Sequence, residues 1–212
     1  MEKLLLLVLL LVVSLVSARH VRRETNLVTT EEDDGTTDCS ESAIETVDFN
    51  LDELVGVWYK VLHKFGKGGN DNKTSFIFKL EQDGEDKLLM NEYLTKDGVC
   101  IGPVTGEWSK PGPGQLGIKI NFDEGRTWEQ TVKLVFHFKH PKRVYNEEVL
   151  GIWGCESLEV DGTCSKDNQI AVVLSRNRYP FHFSLQNAAK ALQRACIDPK
   201  TLRKLDTLSK YV

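Results

Sequence analysis

The sequence predicts an all-β domain with one C-terminal helix, an eight-stranded antiparallel up-and-down barrel. Three observations lead there. From Trp58 to Arg176 a period of two dominates the eight successive segments, plainest in Thr74–Glu81, Gln115–Asn121 and Thr127–Lys139, the period of a strand with one buried face. Turn-forming stretches such as Asp83-Gly84, Asp97-Gly98 and Pro111-Gly112-Pro113-Gly114 separate several of these segments and make neighbours antiparallel. After Asn177 the spacing changes to three and four, and Phe183–Cys196 carries Leu185, Ala188, Ala189, Leu192 and Cys196 on one stripe. Closure is favoured because an open sheet of eight strands would leave two unpaired edges; a two-sheet sandwich is the alternative on periodicity alone.

The elements follow in order. Glu2 and Lys3, the apolar run Leu4–Val13 and the small residues of Val16-Ser17-Ala18 make residues 1–18 a secretory signal peptide. The apolar run is shorter than the roughly 20 residues of a membrane helix, and no other stretch approaches that length, so no integral membrane segment is expected. Removing 18 of the 212 residues leaves 194, the size of one domain with a substantial core. Residues 19–38 open with Arg19-His20-Val21-Arg22-Arg23 and continue as a polar, acidic, Thr-rich leader too poor in apolar groups to order itself. Arg22-Arg23 is a candidate processing site that would make this leader a propeptide.

The barrel domain is expected over residues 39–212. An acidic helical turn, Asn50-Leu51-Asp52-Glu53-Leu54, runs into Gly56-Val57-Trp58-Tyr59 and the first strand. A glycine two residues before a large aromatic lets the backbone pass close to the ring, and Trp58 can plug the closed end of a rolled sheet. The remaining strands are expected at Thr74–Glu81, Lys87–Leu94, Val99–Ser109, Gln115–Asn121, Thr127–Lys139, Val144–Cys155 and Gln169–Arg176. Ser184 is the expected cap of the final helix, Asp198-Pro199 its stop, and its single apolar stripe needs the outside of the barrel to cover.

Chemistry-bearing residues are few. A net charge of −4 without a dense basic patch argues against nucleic acid or anionic membrane as partner. The five cysteines, Cys39, Cys100, Cys155, Cys164 and Cys196, lie in an exported chain and predict disulfides. Their odd number leaves one thiol free or bridged to another molecule. No Cys-x-x-Cys or paired-histidine spacing calls for a metal, and no cofactor motif is present: Gly66-Lys67-Gly68-Gly69-Asn70 lacks the Gly-Lys-Ser/Thr ending of a phosphate loop. Asn72-Lys73-Thr74 is an N-glycosylation sequon in a polar stretch. The histidines are scattered, and with no serine elbow, metal motif or framed carboxylate pair, the chain is not expected to be an enzyme; a pocket thiol paired with a histidine is the one catalytic reading that spacing leaves open.

Gly56-Val57-Trp58-Tyr59 after a short helical turn, the eight strands, then Val173-Leu174-Ser175-Arg176-Asn177 and a helix resemble the lipocalin family, most of all its apolipoprotein D and insect bilin-binding branch, over roughly Cys39 to Leu208. The resemblance implies that Arg176 packs over Trp58 and ties the barrel's ends together, a structural role. It implies a Cys39–Cys155 bridge. The family's second bridge has no cysteine at its early position here, where Asn72-Lys73-Thr74 stands; Cys196 lies near the other half's place, Cys100 and Cys164 compete for it, and Cys100 with Cys196 is the preferred pairing, leaving Cys164 odd. The family's Thr-Asp-Tyr-like motif between strands six and seven is also absent, since that turn reads Lys139-His140-Pro141-Lys142-Arg143.

A barrel of eight strands can hold one small ligand. Phe76, Phe78, Met90, Trp108, Trp128, Phe136, Phe138 and Trp153 are the candidate wall, each subject to a one-residue register slip that would turn it outward beneath the helix. The expected function is that of a secreted, extracellular carrier of a small hydrophobic molecule such as a fatty acid, retinoid, sterol or tetrapyrrole. The alternative is a secreted interaction protein or inhibitor that acts through its mouth loops on a protein partner.

Overall fold

The computed structural model describes residues 40–66, 75–96, 99–121, 125–141 and 147–205, apart from the side chains of Ser75, Phe76, Thr95, Lys96 and Cys100. Residues 1–39 lie outside that description, and with them the signal peptide, the leader with Arg22-Arg23, and Cys39. So do Asn72 and most of the Gly66–Asn70 loop.

Eight strands form the wall: β1 (Gly56–Lys64), β2 (Ser75–Gln82), β3 (Lys87–Lys96), β4 (Val99–Gly112), β5 (Gln115–Asn121), β6 (Thr127–Lys139), β7 (Glu148–Cys155) and β8 (Gln169–Ser175). Each pairs with the next, antiparallel throughout, and β1 pairs with both β8 and β2, which closes the sheet. A two-residue β9 (Arg203–Lys204), too short to be read from sequence, adds to β1 at Leu62 and His63, above the Gly56–Tyr59 stretch that holds β2. That arrangement satisfies the edge of β1 beyond the point where β2 stops pairing.

Alternation sorts the apolar residues into two clusters. Trp58, Phe78, Leu80, Leu88, Met90, Trp108, Leu116, Val132, Leu134, Leu150 and Leu174 point inward, and Phe49, Leu51 and Leu54 join them from the closed end. Val61, Leu62, Val135, Val149, Trp153, Ala171 and Val173 point outward and are covered by helix α2 (His182–Arg194) through Ala188 and Leu192. The segment before β1 crosses the closed end: Lys133 donates to the Glu41 carbonyl, Val47 N–H donates to Leu134 O at 2.7 Å, and Lys110 pairs with Asp48 at 2.7 Å. The short helix α1 (Leu51–Leu54) then turns the chain into β1, with the Asn50 N–H donating to Glu53 Oε2.

Two features of α2 differ from the sequence reading. The helix begins at His182, so Ser184 sits fully buried within its first turn instead of capping it, and the Phe181 N–H is satisfied by the Glu147 carboxylate at 2.9 Å. At the other end Cys196 has a φ of 64°, the Cys196 N–H bonds Gln193 O and the Ile197 N–H bonds Leu192 O, a Schellman termination sealed by buried Ile197 and Leu192. Asp198 caps the following 3₁₀ turn, Pro199–Thr201, through the Lys200 N–H.

The disulfides depart from the pairing that the resemblance implied. Cys155 at the end of β7 bonds to Cys164, nine residues on, so it has no bond to give Cys39, and Cys164 is not an odd thiol. The reason is local: the β7–β8 connection folds back on itself, and an antiparallel bridge between Ser40 and Thr163 holds its far side, which brings the two Cα atoms to 6.0 Å. Cys196 is also disulfide-bonded; its partner lies outside the described side chains.

Candidate functional site

The closed end is built around Trp58, which is fully buried with its Nε1–H donating to Leu54 O at 2.7 Å. The Arg176 guanidinium carbon lies 3.8 Å from the centroid of that ring. Arg176 Nη2 donates to Glu53 O, Nη1 to Val57 O and Nε to Glu148 Oε2 at 3.2 Å, so one side chain joins α1, β1, β7 and the end of β8. Gly56 makes room for it: its φ is +115°, and a Cβ there would stand 2.7 Å from Arg176 Nη1. Glu148, on β7 next to the turn that lacks the expected motif, also meets His137 Nε2 at 2.9 Å. Burial pushes the Glu148 carboxyl up, but hydrogen bonds from His137 and Arg176 and the Arg176 charge outweigh it and hold it below the usual carboxylate range. Burial in turn pulls the Arg176 guanidinium down, Glu148 opposes that pull, and the group stays charged. These residues seal the closed end of the barrel.

The other half of the interior is open. A cavity of about 380 Å³ is enclosed by the inward faces of the strands. Phe78, Met90, Trp108, Ile118, Ile120 and Trp128 form one wall, and Val132, Ile152, Val172 and Leu174 the other. Trp108 donates its indole N–H to Met90 Sδ at 3.1 Å, which spends the ring's one polar group on a soft apolar partner. Trp128, 37 % exposed, stands towards the mouth. Gly106 on β4 leaves the room that the Met90 methyl occupies, since a Cβ there would lie 2.8 Å from Met90 Cε.

Two charged side chains share this apolar space. Lys60 on β1 and Glu92 on β3 are 5 % and 8 % exposed and face each other at 3.9 Å, and the Lys60 ammonium lies 5.2 Å from the Phe78 ring and 5.4 Å from the Phe65 ring. Gln130, at the mouth side, donates to the Cys155 carbonyl, and exposed Glu156 completes the polar lining.

Of the eight aromatic and methionine wall candidates, the cavity gathers Phe78, Met90, Trp108 and Trp128. Phe76 pairs with Leu94 in the β2–β3 ladder, and its side chain is outside the description. Phe136, Phe138 and Trp153 are corrections, because all three lie outside the barrel. The register of β6 against β7 shifts between Leu134 and Phe136, so the extra residue Val135 turns the following positions over; Phe136 packs in the outer cluster and Phe138 meets Phe183 of α2 edge-on at 5.7 Å. Trp153 follows the plain alternation of β7, opposite in sense to inward Leu150 and Ile152, and is buried under α2. Lys60, Glu92 and Glu148 were missed. Nothing but a charged residue within an otherwise apolar strand pattern would have flagged them, as in Tyr59-Lys60-Val61-Leu62.

Among the described residues no group of three or more His, Cys, Asp or Glu is arranged to hold a metal ion, and no helix is long and apolar enough to cross a membrane.

A closed eight-stranded up-and-down barrel, with a last-strand arginine over a first-strand tryptophan and one helix laid on its flank, defines the lipocalin fold. Solved structures agree. The chain is similar to insecticyanin from the tobacco hornworm Manduca sexta (TM-score 0.59, 15 % identity, covering 79 % of this chain and 85 % of that one). It is similar to lobster apocrustacyanin A1 (0.57, 16 %, 76 % and 81 %) and to a biogenic amine-binding protein (0.52, 16 %, 79 % and 87 %). No protein-family model and no curated protein sequence matches the chain.

Proposed function

We propose that the protein is an exported carrier that takes one small, largely apolar molecule reversibly into its barrel. The observation that carries this reading is the cavity itself: about 380 Å³ walled by Phe78, Trp108, Ile118, Val172 and Leu174, in a fold whose similar structures include a biogenic amine-binding protein. A guest that enters past Trp128 sheds water against these walls and is held mainly by burial, worth about 25 cal/mol per Å² of apolar area. The volume falls at the lower end of the roughly 300–1,000 Å³ of small-molecule sites. It supports a compact guest, a retinoid or a single acyl chain, over a tetrapyrrole. Export follows from the signal-like residues 1–18 and agrees with a bonded Cys155–Cys164 pair, and Asn72 is the proposed glycosylation site.

Catalysis by a pocket thiol loses its candidate in Cys164, which is bonded. The test of the carrier reading is extraction of the protein, purified from a eukaryotic host, with organic solvent and analysis of the extract by mass spectrometry. A hydrophobic compound near one equivalent per chain is expected. An empty extract, together with tryptophan fluorescence that ignores retinol and fatty acids, would leave the mouth-loop interaction protein as the better reading.

A further inference from the structure

The carrier reading leaves the guest's polar end unspecified, and the Lys60–Glu92 pair addresses it. We infer that the cavity selects guests with a neutral head group that both donates and accepts a hydrogen bond, an alcohol in the simplest case, over carboxylates and amines with the same apolar body. This rests on the carrier reading and deepens it.

Lys60 and Glu92 are both nearly sealed from solvent and both line the cavity, so a guest's head group meets them across a medium of low dielectric. At 3.9 Å their charges cancel for a group standing beside the pair. A carboxylate drawn to the Lys60 ammonium brings a like charge against Glu92, and an ammonium drawn to Glu92 brings one against Lys60. Each guest also gives up its own hydration to enter, and the net-neutral pair returns little for that loss. A hydroxyl has no such conflict: its O–H donates to Glu92 and its oxygen accepts from Lys60. The Phe65 and Phe78 rings beside the Lys60 ammonium keep it inside the apolar wall, where its charge can act on a head group. Glu156, the other charged lining residue among the described residues, is exposed at the mouth and screened by solvent, and it bears on the ranking only weakly.

The test is a matched series, 1-decanol, decanoate and decylamine, titrated calorimetrically at neutral pH into the full-length exported protein and into Glu92→Gln and Lys60→Met. In the wild type the alcohol should bind more tightly than either ion by about 10-fold or more, the scale on which juxtaposed like charges act. Glu92→Gln should move the preference to decanoate, and Lys60→Met should move it to decylamine. A wild type that binds either ion as tightly as the alcohol overturns the inference, as does a wild-type ranking kept by both variants. Should a variant fail to fold by circular dichroism, the wild-type ranking alone decides. Failure of all three compounds to bind the wild type would instead remove the carrier reading beneath it.

Discussion

Arg176→Ala is expected to destabilise the barrel by more than the loss of one contact. The guanidinium sits 3.8 Å over the Trp58 ring, a contact worth about 0.5–2 kcal/mol. Its removal also takes the guanidinium from Glu148, whose side chain is 8 % exposed and keeps exposed Lys139 at 3.8 Å, and breaking a buried pair from one side costs about 3–5 kcal/mol. His137 remains beside Glu148 at 2.9 Å, which places the expected total near the lower bound, about 3 kcal/mol. Trp58→Ala removes a fully buried indole and should cost about 3–5 kcal/mol. The assay is urea unfolding at pH 7 of wild type, both single variants and the double variant, with disulfides intact. Because the two side chains meet, the double variant should fall short of the sum by about 0.5–2 kcal/mol. A second cycle isolates the carboxylate: in the Arg176→Ala background, Glu148→Gln should restore stability. Losses additive to within about 0.5 kcal/mol would show that Trp58 and Arg176 are not coupled, and a further loss on adding Glu148→Gln would show that the Glu148 charge is not the source of the cost.

Other consequences are as direct. The folded-state pKa of Glu148 is depressed, so its stabilisation is fully present above the unfolded value of about 4.3 and is lost as pH falls through the lower folded value. Melting temperatures of wild type and Glu148→Gln should therefore converge as pH falls from about 4.3 through the lower folded value; a gap that persists undiminished in more acid solution would contradict the assignment. Trp153→Phe should lower stability through its packing under α2 and leave guest binding unchanged, whereas Trp108→Ala should weaken binding; equal effects of the two on affinity would place Trp153 in the cavity. Peptide mapping without reduction should recover Cys155 and Cys164 in one linked fragment, and a Cys39–Cys155 fragment in its place would overturn the pairing.

The architecture was legible because its signals are periodic and numerous. The alternation of Leu116, Ile118 and Ile120, or of Leu88 and Met90, needs no partner to be read, and Trp58 with Arg176 gives the two ends of the barrel. The site was half legible. Trp108 and Phe78 follow their strands' parity into the cavity, but Phe136 and Phe138 lie beyond the bulge at Val135, and a single inserted residue reverses every later position without a mark in the sequence. Val61 marks a second such shift, between Lys60 and Leu62 against β8, which puts Val61 and Leu62 together in the outer cluster and leaves Lys60 inside. The Cys155–Cys164 bridge was hidden for another reason. It depends on how the β7–β8 connection folds back, and cysteine spacing alone permits many pairings.

Closing the barrel interior decides whether a guest is held inside it. Ile118→Trp puts an indole into the cavity wall opposite Val172 and Leu174, and circular dichroism establishes that the variant retains the fold. Retinol titrated against tryptophan fluorescence should bind the wild type at one site per chain and fail to bind Ile118→Trp. Equal binding by the two proteins would put the guest on the outer surface and not in the cavity.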